Sequence, residues 1–298
     1  MLVWAVASQK GGVGKTTTVA SLGGWLVRHG MRVLVVDTDP HASLTAYLGY
    51  SDEKLERSLY DLYKVSNLNE DIVKSAVTYT RFNGLDLIAS TMALATVDRQ
   101  LSGRQGVGRI LSKILSFMQD DYDVVLIDCP PVLGALMVNA LAAASLVIVP
   151  TQAEFLALKG LEGMVKTFSI MAKASGGKEI NYIIVPTMYD DDVEGAEDSI
   201  AELNERYQEH LWNDLIPLDN GFRDSSYRHI PLPLMNRRSR GNTAYLRLLK
   251  TAIAKELKND SSKVPEGLLV ILNEDKLTKA RPSHENLIED DVNSMLTL

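Results

Sequence analysis

The sequence predicts a doubly wound α/β fold with a mostly parallel sheet, and three observations support that prediction. Six short runs are nearly continuous in Val, Ile and Leu rather than alternating, which is typical of strands buried on both faces of a parallel sheet. Helical patterns separate these runs, and small or acidic residues follow them, at the edge where such sheets hold their ligands. The predicted strands are 2–8, 32–37, 85–90, 123–128, 145–150 and 180–186, and the predicted helices lie near 16–29, 105–119, 155–174, 193–211 and 241–258.

The composition is that of a globular protein with a substantial core. Hydrophobic residues make up 46% of the 298 residues and charged residues 23%, which fits ordinary globular domains. The single cysteine, Cys129, excludes an intramolecular disulfide and suits a reducing cytoplasm. No charge occurs between Asp128 and Glu154, but prolines and a glycine interrupt this stretch. We therefore predict a turn, a helix and a buried strand there, and no membrane insertion.

Charge is distributed unevenly along the chain. A formal net charge of −7 argues against a protein that coats nucleic acid with its whole surface. Residues 223–258 nevertheless hold nine Lys or Arg against two acidic residues, whereas 259–298 hold eight acidic and four basic ones. We predict one α/β domain over 1–258, with a local basic face, and an acidic C-terminal extension over 259–298. The apolar run 267–273 within that extension predicts one more strand.

Residues 8–17, SQKGGVGKTT, form the strongest functional motif. They follow the first predicted strand and open the first helix, which is the context of a phosphate-binding loop with the pattern G-x-x-x-x-G-K-[ST]. Gln9 stands where that pattern has its first glycine, and a second lysine, Lys10, follows it. Gly11, Gly12 and Gly14 are expected to bring the backbone close to phosphates and to take positive φ.

The side chains of this loop predict ATP and Mg²⁺ as ligands. Lys15 would reach the β- and γ-phosphates, Thr16 would place its hydroxyl on Mg²⁺, and Thr17 would bond the α-phosphate. Backbone N–H groups and the start of the helix would complete the cradle. The predicted nucleotide contacts in the loop are Gly11, Gly12, Val13, Gly14, Lys15, Thr16 and Thr17.

Acidic residues at two further strand ends extend the predicted site. DVVLID ends in Asp128, which would hold a Mg²⁺-bound water. VVDTDP carries Asp37 at its strand end and Asp39 just beyond it, where a carboxylate can orient or deprotonate an attacking water. Turn and cap chemistry is the alternative for these carboxylates. Cys129 has no His near it in sequence and is predicted to be a buried small residue rather than a nucleophile.

Taken together, these motifs resemble the deviant Walker-A ATPases of the ParA/MinD group. KGGVGKTT, DTDP, LIDCPP with LGALMVNAL, VPTQAEFLALKGL, PTMYD and SRGNTAYLRLLK match in order and spacing over residues 1 to about 258. The resemblance implies a P-loop NTPase fold and a homodimer that sandwiches two ATPs. It also implies slow hydrolysis that a partner stimulates, and a role in positioning DNA or a protein complex in a bacterial cell.

The same resemblance implies roles for individual residues. Lys10 would cross the dimer interface to the phosphates of the partner subunit's ATP, and Gly11 would allow close approach of the subunits. Lys10 and Asp39 are the predicted catalytic residues. Lys10, Met188 and Pro217 extend the nucleotide-binding set. The predicted metal-site residues are Thr16, Asp39 and, through a bound water, Asp128.

Within that group the sequence favours the short chromosomal ParA type and its cargo-positioning relatives. The nitrogenase iron protein needs two cysteines per subunit, and MinD members end in a basic amphipathic helix, whereas this tail is acidic. DPHASLTAYLGY places His41 where chromosomal ParA has glutamine, and it resembles the ParC-type ATPases associated with polar chemotaxis arrays. His41 is either a plain loop residue or a contact of the site.

Late arginines predict sequence-independent DNA binding, again by resemblance. Arg223 is the best positional match, Arg206 a weaker one, and Arg228 lies near them in sequence. Contacts of this kind to phosphates would be strongly salt-dependent, and a solvated, ion-paired face is the alternative. The further arginines of this region are Arg237, Arg238 and Arg240.

The sequence leaves three kinds of function open. The first is an ATP-switched enzyme that positions cargo, in partitioning, in a chemotaxis array or as a MinD-like division protein. It would act through a cargo adaptor or a polar anchor protein. The second is a binding protein in which ATP gates assembly and turnover is negligible. The third is a small-molecule ligase or kinase on the same loop.

Overall fold

The computed structural model describes residues 1–101, 107–235 and 239–278, and its centre is one sheet. The strands are β1 (Leu2–Val6), β2 (Val33–Asp37), β3 (Val77–Tyr79), β4 (Leu85–Ile88), β5 (Val124–Asp128), β6 (Leu146–Gln152) and β7 (Tyr182–Thr187). Their order is β3-β4-β2-β5-β1-β6-β7. Among these described strands the pairings are parallel, except that β3 runs antiparallel to β4 at one edge.

Helices lie on both faces of this sheet. In the described ranges they are α1 (Lys15–Arg28), α2 (Ser43–Tyr47), α3 (Leu59–Lys64), α4 (Glu70–Lys74), α5 (Leu94–Leu101), α6 (Ile110–Ser116), α7 (Ala135–Ala143), α8 (Phe155–Ala174), α9 (Ala196–Tyr207), α10 (Gly221–Arg228), α11 (Arg240–Asp260) and α12 (Glu266–Thr278). Short 3₁₀ turns occur at Asp52–Lys54, Val107–Arg109, Leu232–Leu234 and Ser261–Lys263.

Two apolar cores flank the sheet, as the continuous apolar strands predict. Trp4 of β1 packs in one core with Leu22 of α1 and Leu248 of α11. Its neighbour Ala5 belongs to the opposite core, together with Met164 of α8. Because successive strand residues point to opposite faces, a strand that is buried on both faces must be apolar throughout. The predicted doubly wound α/β fold is confirmed.

The strand order brings the predicted functional loops together. β1, β5 and β2 are neighbours, and they run in the same direction. Val6 and Asp37 both pair in register with Asp128. The carboxyl ends of the three strands therefore meet at one edge, where the loops that follow them lie side by side.

The expected strand at 267–273 is wrong, because this segment belongs to α12. Leu268 and Ile271 are fully buried against the core that contains α11, whereas Leu269 and Val270 between them are 36% and 56% exposed. A spacing of three residues places two side chains on one helix face, and a short apolar run does not by itself distinguish a helix from a strand. The edge strand β3 was not predicted, since it has only three residues.

The uncharged stretch before Glu154 forms a turn, α7 and β6, as predicted. The predicted helix at 105–119 is observed from Ile110, and its first two residues lie outside the described ranges. No helix within the described parts of the chain has both the length and the apolar character needed to cross a membrane.

Candidate nucleotide-binding site

The phosphate-binding loop connects β1 to α1 and is open on its outer side. Gly12 and Gly14 have φ of 77° and 90°, a region that glycine enters without steric cost, and Gly14 precedes the first turn of α1. Gly11 does not take positive φ, so that expectation is wrong for one of the three glycines. A Cβ on Gly11 or Gly12 would meet no atom within 4 Å. The loop and the start of α1 form a cradle suited to an anion.

Gln9 holds this loop against α8. Its Nε2 donates a hydrogen bond to Thr167 Oγ1 at 3.3 Å, and a Cβ on Gly163 would collide with the Gln9 amide. The glycine in α8 thus makes room for the side chain that replaces a glycine in the loop. Sequence reasoning missed this contact, because the two residues lie far apart in the chain.

Lys15, Thr16 and Asp128 converge beside the loop. Thr16 Oγ1 donates to Asp128 Oδ2 at 2.7 Å, and Lys15 Nζ donates to the backbone oxygen of Lys10 at 3.1 Å. Asp128 Oδ1 is buried and has no hydrogen-bond partner among the described residues. Burial lowers the pKa of Lys15, while burial and the nearby charge of Asp37 raise the pKa of Asp128 well above its usual value.

These residues suit a Mg²⁺ ion that arrives with a nucleotide. The orphaned Asp128 Oδ1 can accept a hydrogen bond from a metal-bound water, and the Thr16 hydroxyl is a suitable ligand. Within the described ranges, no group of three or more His, Cys, Asp or Glu side chains is arranged to hold a metal by itself. Since Mg²⁺ commonly takes one or two protein oxygens together with phosphates and waters, the phosphates would supply the missing ligands.

Asp39 lies on the same edge and is largely buried, with 8% exposed. Its Oδ1 accepts a hydrogen bond from the backbone N of His41 at 3.0 Å and lies 2.8 Å from His41 Nδ1. His41 therefore contacts a predicted site residue, from within the same loop and with a largely exposed side chain. Asp37 is fully buried, and burial raises its pKa to about 7. Burial also raises the pKa of the Cys129 thiol, in keeping with a buried structural residue.

Lys10 is held within its own chain by α8 and the end of β6. Its Nζ forms an ion pair with Glu154 and donates to Gln152 Oε1 at 3.3 Å. The Lys10 and Glu154 side chains are 27% and 41% exposed, so the pair lies at the surface. Sequence reasoning missed both partners, although VPTQAEF places them just after a predicted strand end. That position was the signal that would have found them.

A cavity of about 280 Å³ lies beside the loop, and Met188 and Pro217 line it together with Thr17. Met188 has φ of 54°, and Thr187 Oγ1 donates to the backbone oxygen of Val13 at 2.9 Å, which ties the end of β7 to the loop. The structure thus brings the last two predicted nucleotide-binding residues to the loop. Aromatic side chains that sequence reasoning missed also line this cavity, and they are Tyr47, Phe222 and Tyr245.

The three arginines predicted to bind DNA lie on two helices. Arg206 of α9 is held by Glu162 at 2.6 Å and Glu202 at 2.9 Å, which favours the ion-paired alternative for this residue. Arg223 and Arg228 are exposed on α10, and Arg223 also lines the cavity beside the loop. The remaining arginines of the region are Arg240, which begins α11, and Arg237 and Arg238, which lie outside the described residues.

Comparison with known proteins gives consistent matches over most of the chain. The family model described as AAA domain matches residues 1–181. The chain is 33% identical over 250 residues to the sporulation initiation inhibitor protein Soj of Bacillus subtilis, covering 84% of this chain and 97% of Soj. It is 33% identical over 257 residues to the chromosome partitioning protein ParA of Caulobacter vibrioides, covering 85% of this chain and 94% of ParA.

A solved structure with bound nucleotide matches the same region. Cobyrinic acid a,c-diamide synthase from Mycobacterium smegmatis, with bound ADP and magnesium, superposes with a TM-score of 0.71 at 33% identity. The match covers 89% of this chain and 98% of that one. The fold, the loop at β1 and these matches agree. The chain therefore belongs to the ParA/MinD family of deviant Walker-A ATPases, which bind ATP with Mg²⁺.

Proposed function

We propose that this protein is an ATP-switched homodimer that hydrolyses ATP slowly and positions a cargo in a bacterial cell. The observation that supports this best is the convergence of Lys15, Thr16 and Asp128 beside a loop that carries a second, partly exposed lysine, Lys10. The nucleotide-dependent activity belongs to residues 1–258, with 259–298 as an acidic extension whose helix α12 packs on the core of that domain. The cargo is chromosomal or plasmid DNA, or a chemotaxis array.

The loop would bind the triphosphate through backbone N–H groups, Lys15 and the start of α1. Bound Mg²⁺ would neutralise part of the charge that develops on the phosphates, with Thr16 as a protein ligand and Asp128 on a bound water. The base would enter the cavity lined by Met188 and Pro217, whose apolar and aromatic walls suit a flat ring.

Asp39 would orient the attacking water or accept its proton. Its Oδ1 is occupied by His41, so Oδ2 is the oxygen available for the water. General-base assistance of this kind contributes typically ~10²–10⁴-fold to a rate. A rate enhancement of this size from one carboxylate is sufficient for the slow hydrolysis that we propose.

Dimerisation would give Lys10 its second role. In one chain Lys10 pairs with Glu154 at the surface, and exposed ion pairs of this kind are worth only about 0–1 kcal/mol. Exchange of Glu154 for the phosphates of the partner subunit's ATP therefore costs little. Gly11, where a Cβ would meet no atom within 4 Å in the single chain, would lie at the interface between subunits.

Arg223 and Arg228 support DNA as one surface that the dimer contacts. Both are exposed on α10, and Arg223 also lines the cavity assigned to the base. The same helix thus lines the proposed base pocket and presents the two arginines to solvent. A bound nucleotide would in this way affect how α10 presents these arginines to DNA. A cargo adaptor or a polar anchor protein would then recognise the ATP-bound dimer.

The test is light scattering together with phosphate release, measured with ATP, ADP and a non-hydrolysed ATP analogue. We expect dimers with ATP and with the analogue, monomers with ADP, and slow phosphate release that Asp39→Ala abolishes while dimerisation persists. Phosphate release unchanged by Asp39→Ala would favour a nucleotide-gated binding protein. Stimulation of phosphate release by a small carboxylic acid substrate would favour the ligase alternative. The similarity to the diamide synthase is the reason for including this test.

The nature of the contacted surface has its own experiment. With the non-hydrolysed analogue at low salt, we expect retention on duplex DNA that Arg223→Glu abolishes and that falls steeply as salt rises. Arg206→Glu is the matched comparison, and we expect a smaller loss, because Glu162 and Glu202 already hold that guanidinium. Absence of wild-type binding would overturn the DNA proposal, and binding to anionic vesicles instead would favour the MinD-like alternative.

A further inference from the structure

A closed ring of hydrogen bonds lies behind Asp39. Asp37 Oδ1 accepts from the backbone N of Asp39 at 3.1 Å, and Asp37 Oδ2 accepts from Thr45 Oγ1 at 2.8 Å. Thr45 Oγ1 in turn accepts from the backbone N of Ser90 at 3.0 Å. Ser90 Oγ closes the ring by donating to the backbone oxygen of Asp39 at 2.6 Å.

The ring joins three separate pieces of chain. Asp37 ends β2 and Asp39 lies just after it, Thr45 lies in α2, and Ser90 follows β4. Asp37 and Ser90 are fully buried, and Thr45 is 1% exposed. Hydrogen bonds in such a dry environment are strong and hold their geometry, because water does not compete for the same donors and acceptors.

The ring holds Asp39 by its backbone at both ends. The Asp39 N–H donates to Asp37, and the Asp39 oxygen accepts both from Ser90 Oγ and from the backbone N of Ala42 at 2.8 Å. The Asp39 side chain remains outside the ring, with Oδ1 bonded to His41. The ring therefore fixes where the Cα of Asp39 lies without engaging Oδ2.

We infer that Ser90 is a positioning residue for Asp39 in ATP hydrolysis. The inference rests on the proposed role of Asp39 toward the attacking water. Ser90 fixes the Asp39 backbone relative to β4, and Thr45 transmits the same constraint to Asp37. Displacement of a catalytic group by about 1 Å can cost ~10²-fold in rate, so a hydroxyl that touches no substrate has a measurable effect on turnover.

Ser90 lies outside the set of residues that would bind the nucleotide. The contacts assigned to the nucleotide come from the loop at β1 and from the cavity beside it, and Ser90 belongs to neither. Loss of the Ser90 hydroxyl should therefore lower kcat and leave KM for ATP and the affinity for ADP unchanged. A purely structural role would instead weaken binding and turnover together, as the site loosened.

Ser90→Ala is the primary variant, since the Asp39 oxygen keeps its bond from Ala42 and the fold is expected to persist. Thr45→Val removes the other hydroxyl of the ring at nearly constant shape, and Thr45→Ser restores it. Asp39→Ala serves as the reference for loss of the carboxylate itself. Each protein is tested for kcat and KM in phosphate release, for ADP affinity and for thermal unfolding.

We expect kcat to fall roughly 10- to 100-fold in Ser90→Ala and Thr45→Val, with Thr45→Ser close to wild type and ADP affinity within about twofold throughout. Wild-type kcat in Ser90→Ala, or an equal loss of kcat and ADP affinity, would overturn the inference while leaving the proposed function standing. Full activity of Asp39→Ala would remove the proposed role of Asp39 and the inference with it.

Discussion

Lys10 and Glu154 form an ion pair at the surface of one chain, between the phosphate-binding loop and the start of α8. The loop lysine that we propose reaches a second subunit thus has a partner in its own subunit. Because both side chains are partly exposed, the pair is weak enough to exchange. Dimerisation with ATP and release of Glu154 would be two parts of one event.

Lys10→Ala is expected to retain nucleotide binding and to lose ATP-driven dimerisation. Lys15 remains in the cradle, so affinity for ADP should stay within about threefold, while hydrolysis falls on the order of 10²-fold with the loss of a cation at the developing charge. Calorimetric titration with ADP and light scattering with ATP measure the two effects. Lys15→Ala, the matched control, should lose ADP binding itself. Normal dimerisation and turnover in Lys10→Ala would contradict the proposed role.

Glu154→Gln is expected to make dimerisation easier. The amide keeps the size of the side chain but removes the charge that holds Lys10, so the ATP concentration at half-dimerisation should fall by up to about fivefold, given an exposed pair worth about 0–1 kcal/mol. Analytical ultracentrifugation over a series of ATP concentrations measures this shift. Glu162→Gln, inside the helix that Glu154 precedes but paired with Arg206, should leave the midpoint unchanged. A higher midpoint in Glu154→Gln would mean that Glu154 supports the dimer.

The parallel sheet and most of the site were predictable from the sequence, because the residues of the site stand next to the strands that bring them together. Two apolar runs end in the carboxylates Asp37 and Asp128, and the first strand is followed by a glycine-rich turn and Lys15. The polar side chains of the site are therefore recognisable at strand ends from local sequence alone. Neighbouring parallel strands then bring those ends together. The pattern carries no register, so it did not reveal that Asp37 and Asp128 pair directly.

The contacts that sequence reasoning missed depend on pairs that are distant in the chain. Gln9 meets Thr167, Lys10 meets Glu154, and Asp39 meets Ser90. Each pair joins two loops or a loop and a helix, and neither partner's neighbours in sequence identify the other. The sequence nevertheless offered a signal for Ser90. The predicted strand 85–90 ends on it, and the ends of parallel strands lie at one edge of the sheet.

Asp128→Asn is expected to raise the Mg²⁺ requirement of the site. The asparagine keeps one oxygen, which can still accept from Thr16, but it removes the negative charge and replaces the other oxygen with an NH₂ group. In the structure that other oxygen, Oδ1, is buried and has no partner among the described residues. Loss of a group that holds a metal-bound water typically costs ~10–100-fold in metal affinity. The Mg²⁺ concentration at half-maximal phosphate release should rise by roughly that factor, whereas ADP affinity measured with a chelator should not change. An unchanged Mg²⁺ midpoint would exclude the role given to Asp128.

Glu256→Ala is expected to destabilise the fold. Glu256 is 2% exposed, and its Oε1 accepts from Trp4 Nε1 at 2.9 Å and from Ser145 Oγ. Truncation leaves the buried Trp4 Nε1 without its acceptor, at a cost of roughly 1–3 kcal/mol, whereas Ser145 Oγ keeps the backbone oxygen of Val3 as an acceptor at 3.0 Å. Urea unfolding followed by tryptophan fluorescence measures the loss. Glu205→Ala, an exposed site on α9, should stay within about 0.5 kcal/mol of wild type, and equal effects of the two variants would argue against the buried contact.

Ile271→Ala tests whether α12 packs as a helix on the core. Ile271 is fully buried with Leu268, whereas Val270, its neighbour in sequence, is 56% exposed. A helix buries residues three apart and exposes those between them, so the two neighbouring positions should respond very differently. Ile271→Ala is expected to lower the free energy of unfolding by about 2–5 kcal/mol, and Val270→Ala by less than about 0.5 kcal/mol. Thermal and urea unfolding of the full chain measure both. A strand over 267–273 would bury alternate residues, and in that case Leu269→Ala would cost as much as Ile271→Ala.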